Sequence, residues 1–168
     1  MAATNPTTQP LKQKITTFLW FDNNAEEAAN FYVSVFKNSR ILETSHYTEV
    51  GPGPKGSVMT VSFELDGQQF TALNGGPTFK FTEAISLVVN CTSQEEVDYY
   101  WNKLSADGGN EVECGWVKDK YGLSWQIVPE KLMQFLTEDD PALVNRVMQA
   151  MMQMKKLDIK KLEQAANA

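Results

Sequence analysis

Histidine is nearly absent from this chain. His46 is the one example in 168 residues, and cysteine occurs only twice, at Cys91 and Cys114. Chemistry built on clustered imidazoles and thiolates therefore has little to draw on. The two cysteines have no CxxC spacing, so a disulfide framework is not supported and two reduced thiols are expected. A basic stripe is also missing. Lys and Arg number 15 against 21 Asp and Glu, for a net charge of −6. That argues against nucleic acid as a partner, because phosphates need cationic neutralisation. No run of 18 apolar residues occurs, so no membrane span is expected. No GxGxxG loop is present, and "LNGGP" at 73–77 is a single turn signal that opens no helix. Residues 1–13 lack an apolar signal region. They read as a disordered leader rich in Thr, Pro and Gln, which leaves a cytoplasmic location as the expectation.

What is present is a regular alternation of strand and helix signals. "ITTFLWF" at 15–21 is β-prone. The stretch "DNNAEEAANFYVSVF" opens on turn and cap residues, then repeats apolar residues at Ala28, Phe31, Val35 and Phe36, which predicts a helix. Strand character returns in "ILETSHYT" at 41–48, and "GPGPKG" at 51–56 is a loop. "SVMTVSFEL" alternates, with Met59, Val61, Phe63 and Leu65 on one face. Asp66 and Gly67 then turn the chain into "QQFTALN", a tight hairpin. This first module, residues 14–78, reads β-α-β-β-β.

Residues 79–130 read as a second, shorter module of the same kind. "AISLVVNC" is a strand, and a helix follows with Ser93 as cap, Glu96 three residues on, and Gly108 and Gly109 at its end. "EVECGWVK" and "SWQIVP" are strands. "EEAANFY" at 26–32 matches "EEVDYYW" at 95–101, an internal repeat at an offset of 69 residues. Residues 131–168 read as a helical extension throughout. Asp140 and Pro141 give a helix start. Val144, Val147, Met148, Met151, Met152 and Met154 form an apolar stripe, read as a surface packed on its own domain or on a twin subunit.

The stretches "ITTFLWFDNNAEEAANFYVSVF", "GSVMTVSFELDGQQFTALNGG", "AISLVVNC" and "DKYGLSWQIVP" together resemble the vicinal oxygen chelate superfamily. That superfamily includes glyoxalase I and the bleomycin-resistance proteins, and the resemblance is to its PhnB-like branch, labelled 3-demethylubiquinone-9 3-methyltransferase-like. It implies an α+β fold of two βαβββ modules forming a cupped mixed sheet, here with a C-terminal helical tail. In metal-using members four side chains in the cup hold a divalent cation. The corresponding positions fall on Thr17, near Ala72, near Ala84 and on Gln126. None is an imidazole, carboxylate or thiolate, so neither a metal nor another cofactor is expected. Gln126 stands where the glutamate ligand would be. It is suited either to orienting a polar ligand or to satisfying buried backbone groups.

The expected function is binding of a small organic molecule, by a homodimer, in a cup without a metal. The ligand-binding set is Thr17, Phe21, Thr60, Ser62, Phe70, Asn74, Ser86, Trp116 and Gln126, with Leu19 and Ser124 also facing the cup. An enzyme of the superfamily acting through unrecognised residues is the alternative. His46, with Thr44 and Thr48 on its face, reads as a polar strand residue, and the two cysteines read as buried structural thiols. Trp20, Phe31, Tyr32, Tyr99, Tyr100 and Trp101 read as core.

Overall fold

The computed structural model describes residues 13–168, so all of the expected leader but Gln13 lies outside the described residues. The chain divides into two compact units between Phe79 and Lys80. Unit 1 runs β1 (Thr17–Phe21), α1 (Ala25–Val35), β2 (Arg40–His46), β3 (Val58–Leu65) and β4 (Gln68–Asn74). Its sheet has the order β1-β4-β3-β2, with β1 parallel to β4 and the other pairs antiparallel. Helix α1 buries Ala25, Ala28, Ala29, Tyr32 and Val35, one stripe at helical spacing. Tyr32 stacks on Phe63, which stacks on Phe70. Each such ring pair adds about 0.5–1.5 kcal/mol beyond its buried area. The Asn24 side chain makes no cap bond, and the Ala25 N–H donates instead to Asn74 Oδ1 at 2.8 Å. The last residue of β4 thus serves the start of α1.

Unit 2 repeats the plan with β5 (Ser86–Cys91), α2 (Gln94–Leu104), β6 (Asn110–Glu111), β7 (Trp116–Lys118) and β8 (Ser124–Pro129). The order β5-β8-β7-β6 matches that of unit 1 strand for strand. Ser93 caps α2 by accepting from Glu96 N, while Glu96 Oε2 accepts from Thr92 N. The Glu96 carboxylate thus reaches back to the residue before the cap, a variant of the box the sequence predicts. Val97, Trp101 and Leu104 of α2 are buried with Val117, Trp125 and Ile127. Trp101 stands 69 residues after Tyr32, and both are closed into the helix–sheet core. The aromatic set is therefore core only in part: Tyr99 is exposed, and Trp20 is half-buried against the 75–79 loop, donating to Gly76 O.

Two expectations change. "EVECGWVK" forms two short strands, because Cys114 (φ 59°) and Gly115 (φ 82°) are successive left-handed residues that break the ladder. The extension forms three helices: α3 (Glu130–Leu136), α4 (Pro141–Met151) and α5 (Ile159–Ala166). Pro141 disfavours helix at the residue before it, and Asp140 and Asp158 cap the next two starts. The stripe splits accordingly. Val147 and Met154 are buried with Val128, Leu132, Leu157, Leu162 and Ala166, whereas Met148 and Met152 are exposed. No helix among the described residues is long and apolar enough to cross a membrane.

Candidate functional site on the uncovered sheet faces

Each four-stranded sheet carries its αβ-packing helix on one face. In unit 1 the register sorts every residue onto one side. Toward α1 point the rows Thr17, Phe70, Phe63 and Ile41, then Leu19, Ala72, Val61 and Thr44. Phe21 and Asn74 continue that side. Phe21 is 3% exposed and Phe70 4%. Thr17, Leu19, Phe21, Phe70 and Asn74 therefore belong to the helix side and do not line the opposite face. Asn74 is held by Ala25 N and by its own donation to Val58 O at 3.0 Å. Of the unit 1 candidates, Thr60 and Ser62 do lie on the uncovered face.

That face has three cross-strand rows: Gln69, Glu64 and Arg40; Phe18, Thr71, Ser62 and Glu43; Trp20, Leu73, Thr60 and Ser45. Phe18 is 59% exposed, so no core closes over it. Ser45 and Thr60 hydroxyls are 2.6 Å apart, and Ser62 and Thr71 hydroxyls 3.4 Å. Sequence reasoning missed Glu64, Thr71, Phe18 and Ser45. In β1 and β4 both alternating sets are apolar or mixed, so hydrophobicity leaves the parity open. Bulges in β2 bring both Ser45 and His46 opposite the uncovered-face residues Thr60 and Val58, so His46 does not share a face with Thr44.

In unit 2 the uncovered face brings the candidates together. One row is Ser86, Ser124 and Lys118, the next is Val88, Gln126 and Trp116. Gln126 Nε2 donates to Ser86 Oγ at 2.8 Å. This leaves the amide its second N–H and its carbonyl oxygen for other partners. Val88 is 52% exposed and Trp116 is half-buried. Lys118 pairs with Glu83, which stands before β5, and holds the Glu83 carboxyl below its usual range. Val128, two residues beyond Gln126 and on the same side, is closed into the tail cluster, so the tail borders this face.

The stretch "DKYGLSW" has a structural task. Asp119 is 2% exposed; its Oδ1 accepts from Tyr121 N and Leu123 N, and its Oδ2 from Trp125 Nε1 at 2.8 Å. It closes the β7–β8 turn, with Gly122 at φ 87°. Cys91 is buried, and burial, then Glu96 and Glu130, push its thiol up to about 12. A concavity of about 520 Å³ in the β2–β3 loop is lined by Tyr47, Thr48, Glu49, Val50, Lys55 and Gly56. Its Lys55 and Glu49 already pair with each other.

The four positions carried over for a metal differ in their surroundings within each unit. Thr17 and Ala72 face α1, Ala84 precedes β5, and only Gln126 is on an uncovered face. No group of three or more His, Cys, Asp or Glu side chains comes together among the described residues. The donor set does not fit a divalent metal.

Residues 13–128 match the family described as 3-demethylubiquinone-9 3-methyltransferase. The chain belongs to that family. A solved putative 3-demethylubiquinone-9 3-methyltransferase, PhnB protein, from Bacillus cereus is 43% identical. The match covers 70% of this chain and 99% of that one, with a TM-score of 0.63. Protein PA1353 from Pseudomonas aeruginosa is 19% identical, covering 70% and 97%, with a TM-score of 0.58. A glyoxalase/bleomycin resistance protein from Albidiferax ferrireducens T118 is 13% identical, covering 68% and 95%, with a TM-score of 0.47. No curated protein matches. The chain thus joins the PhnB-like proteins both by sequence and by fold. Its helices α3–α5 lie beyond the family match.

Proposed function

We propose that the protein binds a small organic molecule on its uncovered sheet faces, without a metal, and works as a homodimer in the cytoplasm. The observation that carries the reading is the Gln126–Ser86 hydrogen bond beside exposed Val88 and half-buried Trp116. A few polar groups set among apolar side chains are the usual lining of a ligand site. Thr60 and Ser62 supply the same mixture beside Phe18 in unit 1. The apolar side chains left on these faces also favour a second copy as partner. Two free thiols fit a reducing compartment. The methyltransferase in the family description draws no support from the sequence, which lacks a glycine-rich nucleotide loop. Catalysis by the lone histidine or the buried thiol is not favoured either, since His46 is exposed and Cys91 holds its proton at neutral pH.

Native mass spectrometry of protein purified under non-denaturing conditions tests the reading in one measurement. The expected result is a dimer mass carrying a small organic adduct and no stoichiometric divalent metal. A bare monomer, or about one metal per chain, overturns it. Gln126→Ala then assigns the amide. Loss of one neutral hydrogen bond, about 0.5–1.5 kcal/mol, weakens retention of the adduct roughly three- to tenfold. A lowered melting temperature with unchanged retention makes Gln126 structural.

A further inference from the structure

Lys118 stands on the uncovered face of unit 2, in one cross-strand row with Ser86, Ser124 and Asn110. Trp116 precedes it by two residues on the same side, and the next row sets Val88 and Gln126 beside Trp116. The face is open here. Val88 is exposed, Trp116 and Gln126 are half-buried, and the Lys118 side chain is 31% exposed. What Lys118 holds in the free protein is a carboxylate, but one that no fixed element supplies. Glu83 lies in the segment before β5, its side chain is 64% exposed, and it pairs with the Lys118 ammonium. An exposed ion pair contributes little, because water competes for both charges and holding the side chains together costs entropy. The carboxylate seat on Lys118 is therefore filled by a group that leaves easily. Around the seat are an indole, an exposed valine, and an amide with one N–H and a carbonyl oxygen to spare.

We infer that Lys118 receives the carboxylate of a small aromatic acid, that Glu83 occupies the position until the ligand displaces it, and that the ring of the acid lies against Trp116 and Val88. The inference rests on the reading of the unit 2 face as a binding surface, and it names the ligand class. A charge-assisted hydrogen bond is about twice as strong as a neutral one, so an acid is favoured over an amide or an alcohol. Lys118 and Trp116 are two residues apart on an extended strand, about 7 Å, a span that a carboxylate and one attached ring cover. An indole favours a flat partner, offset-stacked or edge-on. Asn110 lies directly opposite Lys118 and adds a second side-chain donor to the row for the other carboxylate oxygen. The net charge of −6 does not oppose an anion here, because charges beyond about 8 Å are largely screened at physiological salt.

Benzoate is the probe, and benzamide is the neutral control of the same shape. Titration calorimetry should show wild-type protein binding benzoate about tenfold more tightly than benzamide. Glu83→Gln removes the internal competitor, so benzoate should bind about two- to fivefold more tightly while benzamide is unchanged. An ion pair that serves only the surface gives no such gain. Lys118→Met keeps the aliphatic stem and should bring benzoate down to the benzamide level. Absence of benzoate binding, equal affinity for the two probes, no gain in Glu83→Gln, or a preference that survives in Lys118→Met each overturns the inference. If native mass spectrometry still finds an organic adduct on the dimer in that case, the inference falls alone and the binding reading stands.

Discussion

At the scale of single residues, Asp119 shows how far a motif can mislead about purpose. "DKYG" stands out in the sequence as a signature, and its role is to close a turn around Trp125. Asp119→Ala should cost about 2–5 kcal/mol, because the buried Trp125 Nε1–H and Leu123 N–H both lose their acceptor. Chemical denaturation should show that loss, and a change below about 1 kcal/mol contradicts the assignment. Side-chain direction was legible where one alternating set is clearly apolar, as for Val61, Phe63 and Leu65 in β3. It was not legible in β1, where Phe18 and Trp20 alternate with Leu19 and Phe21. Hydrophobicity cannot rank such sets, and only the pairing with β4 decides which one meets α1.

Among the elements, the tail has the most specific attachment. Cys114 N and Gly115 N donate to Met154 O and Lys155 O, both at 2.7 Å, and Gln94 bridges to Leu157 O and Ile159 N. Lys156 adds an ion pair to Asp98 at 2.6 Å, which lowers the Asp98 carboxyl below its ordinary value. A Cβ on Gly115 would lie 2.9 Å from Leu157 Cδ1 and 3.0 Å from Ile127 O, at a φ of +82°. Gly115→Ala should therefore cost about 2–4 kcal/mol, combining left-handed strain with a clash. Gly122→Ala separates the two contributions, because its Cβ meets nothing within 4 Å and only the strain of about 1–2 kcal/mol remains. Equal losses in the two variants argue against tight docking of the tail. The start of α4 was readable from Asp140 and Pro141, whereas the cap at Asp158 was not singled out. The breaks were not, since the Met-rich spacing continues past the point where α4 ends at Met151.

For the molecule as a whole, pH should act through one buried thiol and two exposed ion pairs. Cys91 holds its proton up to about pH 12 when folded, against about 9 for an ordinary thiol. Its folded value is raised, so its contribution is intact below pH 9 and lost as pH rises toward 12. Each unit in that window should remove about 1.4 kcal/mol, and Cys91→Ala should flatten the alkaline limb of the stability profile. A variant with the same slope as wild type contradicts the assignment. At the acid end Asp98 and Glu83 have lowered values, so their small contributions persist above the ordinary carboxylate range and fade as pH falls through the folded values. The doubling of the fold was legible, because the match of 26–32 with 95–101 marks two helices in equivalent places. The doubling also has a consequence for biosynthesis. Unit 1 is complete once Phe79 has been made, whereas unit 2 takes Leu162 and Ala166 into its tail core. At about 5–20 residues per second, the 89 residues from Lys80 to Ala168 take roughly 4–18 s to translate. A module of mixed topology folds in about milliseconds. If the first unit folds by itself, it has seconds at the ribosome in that state, with Phe18 exposed, before its sibling is complete.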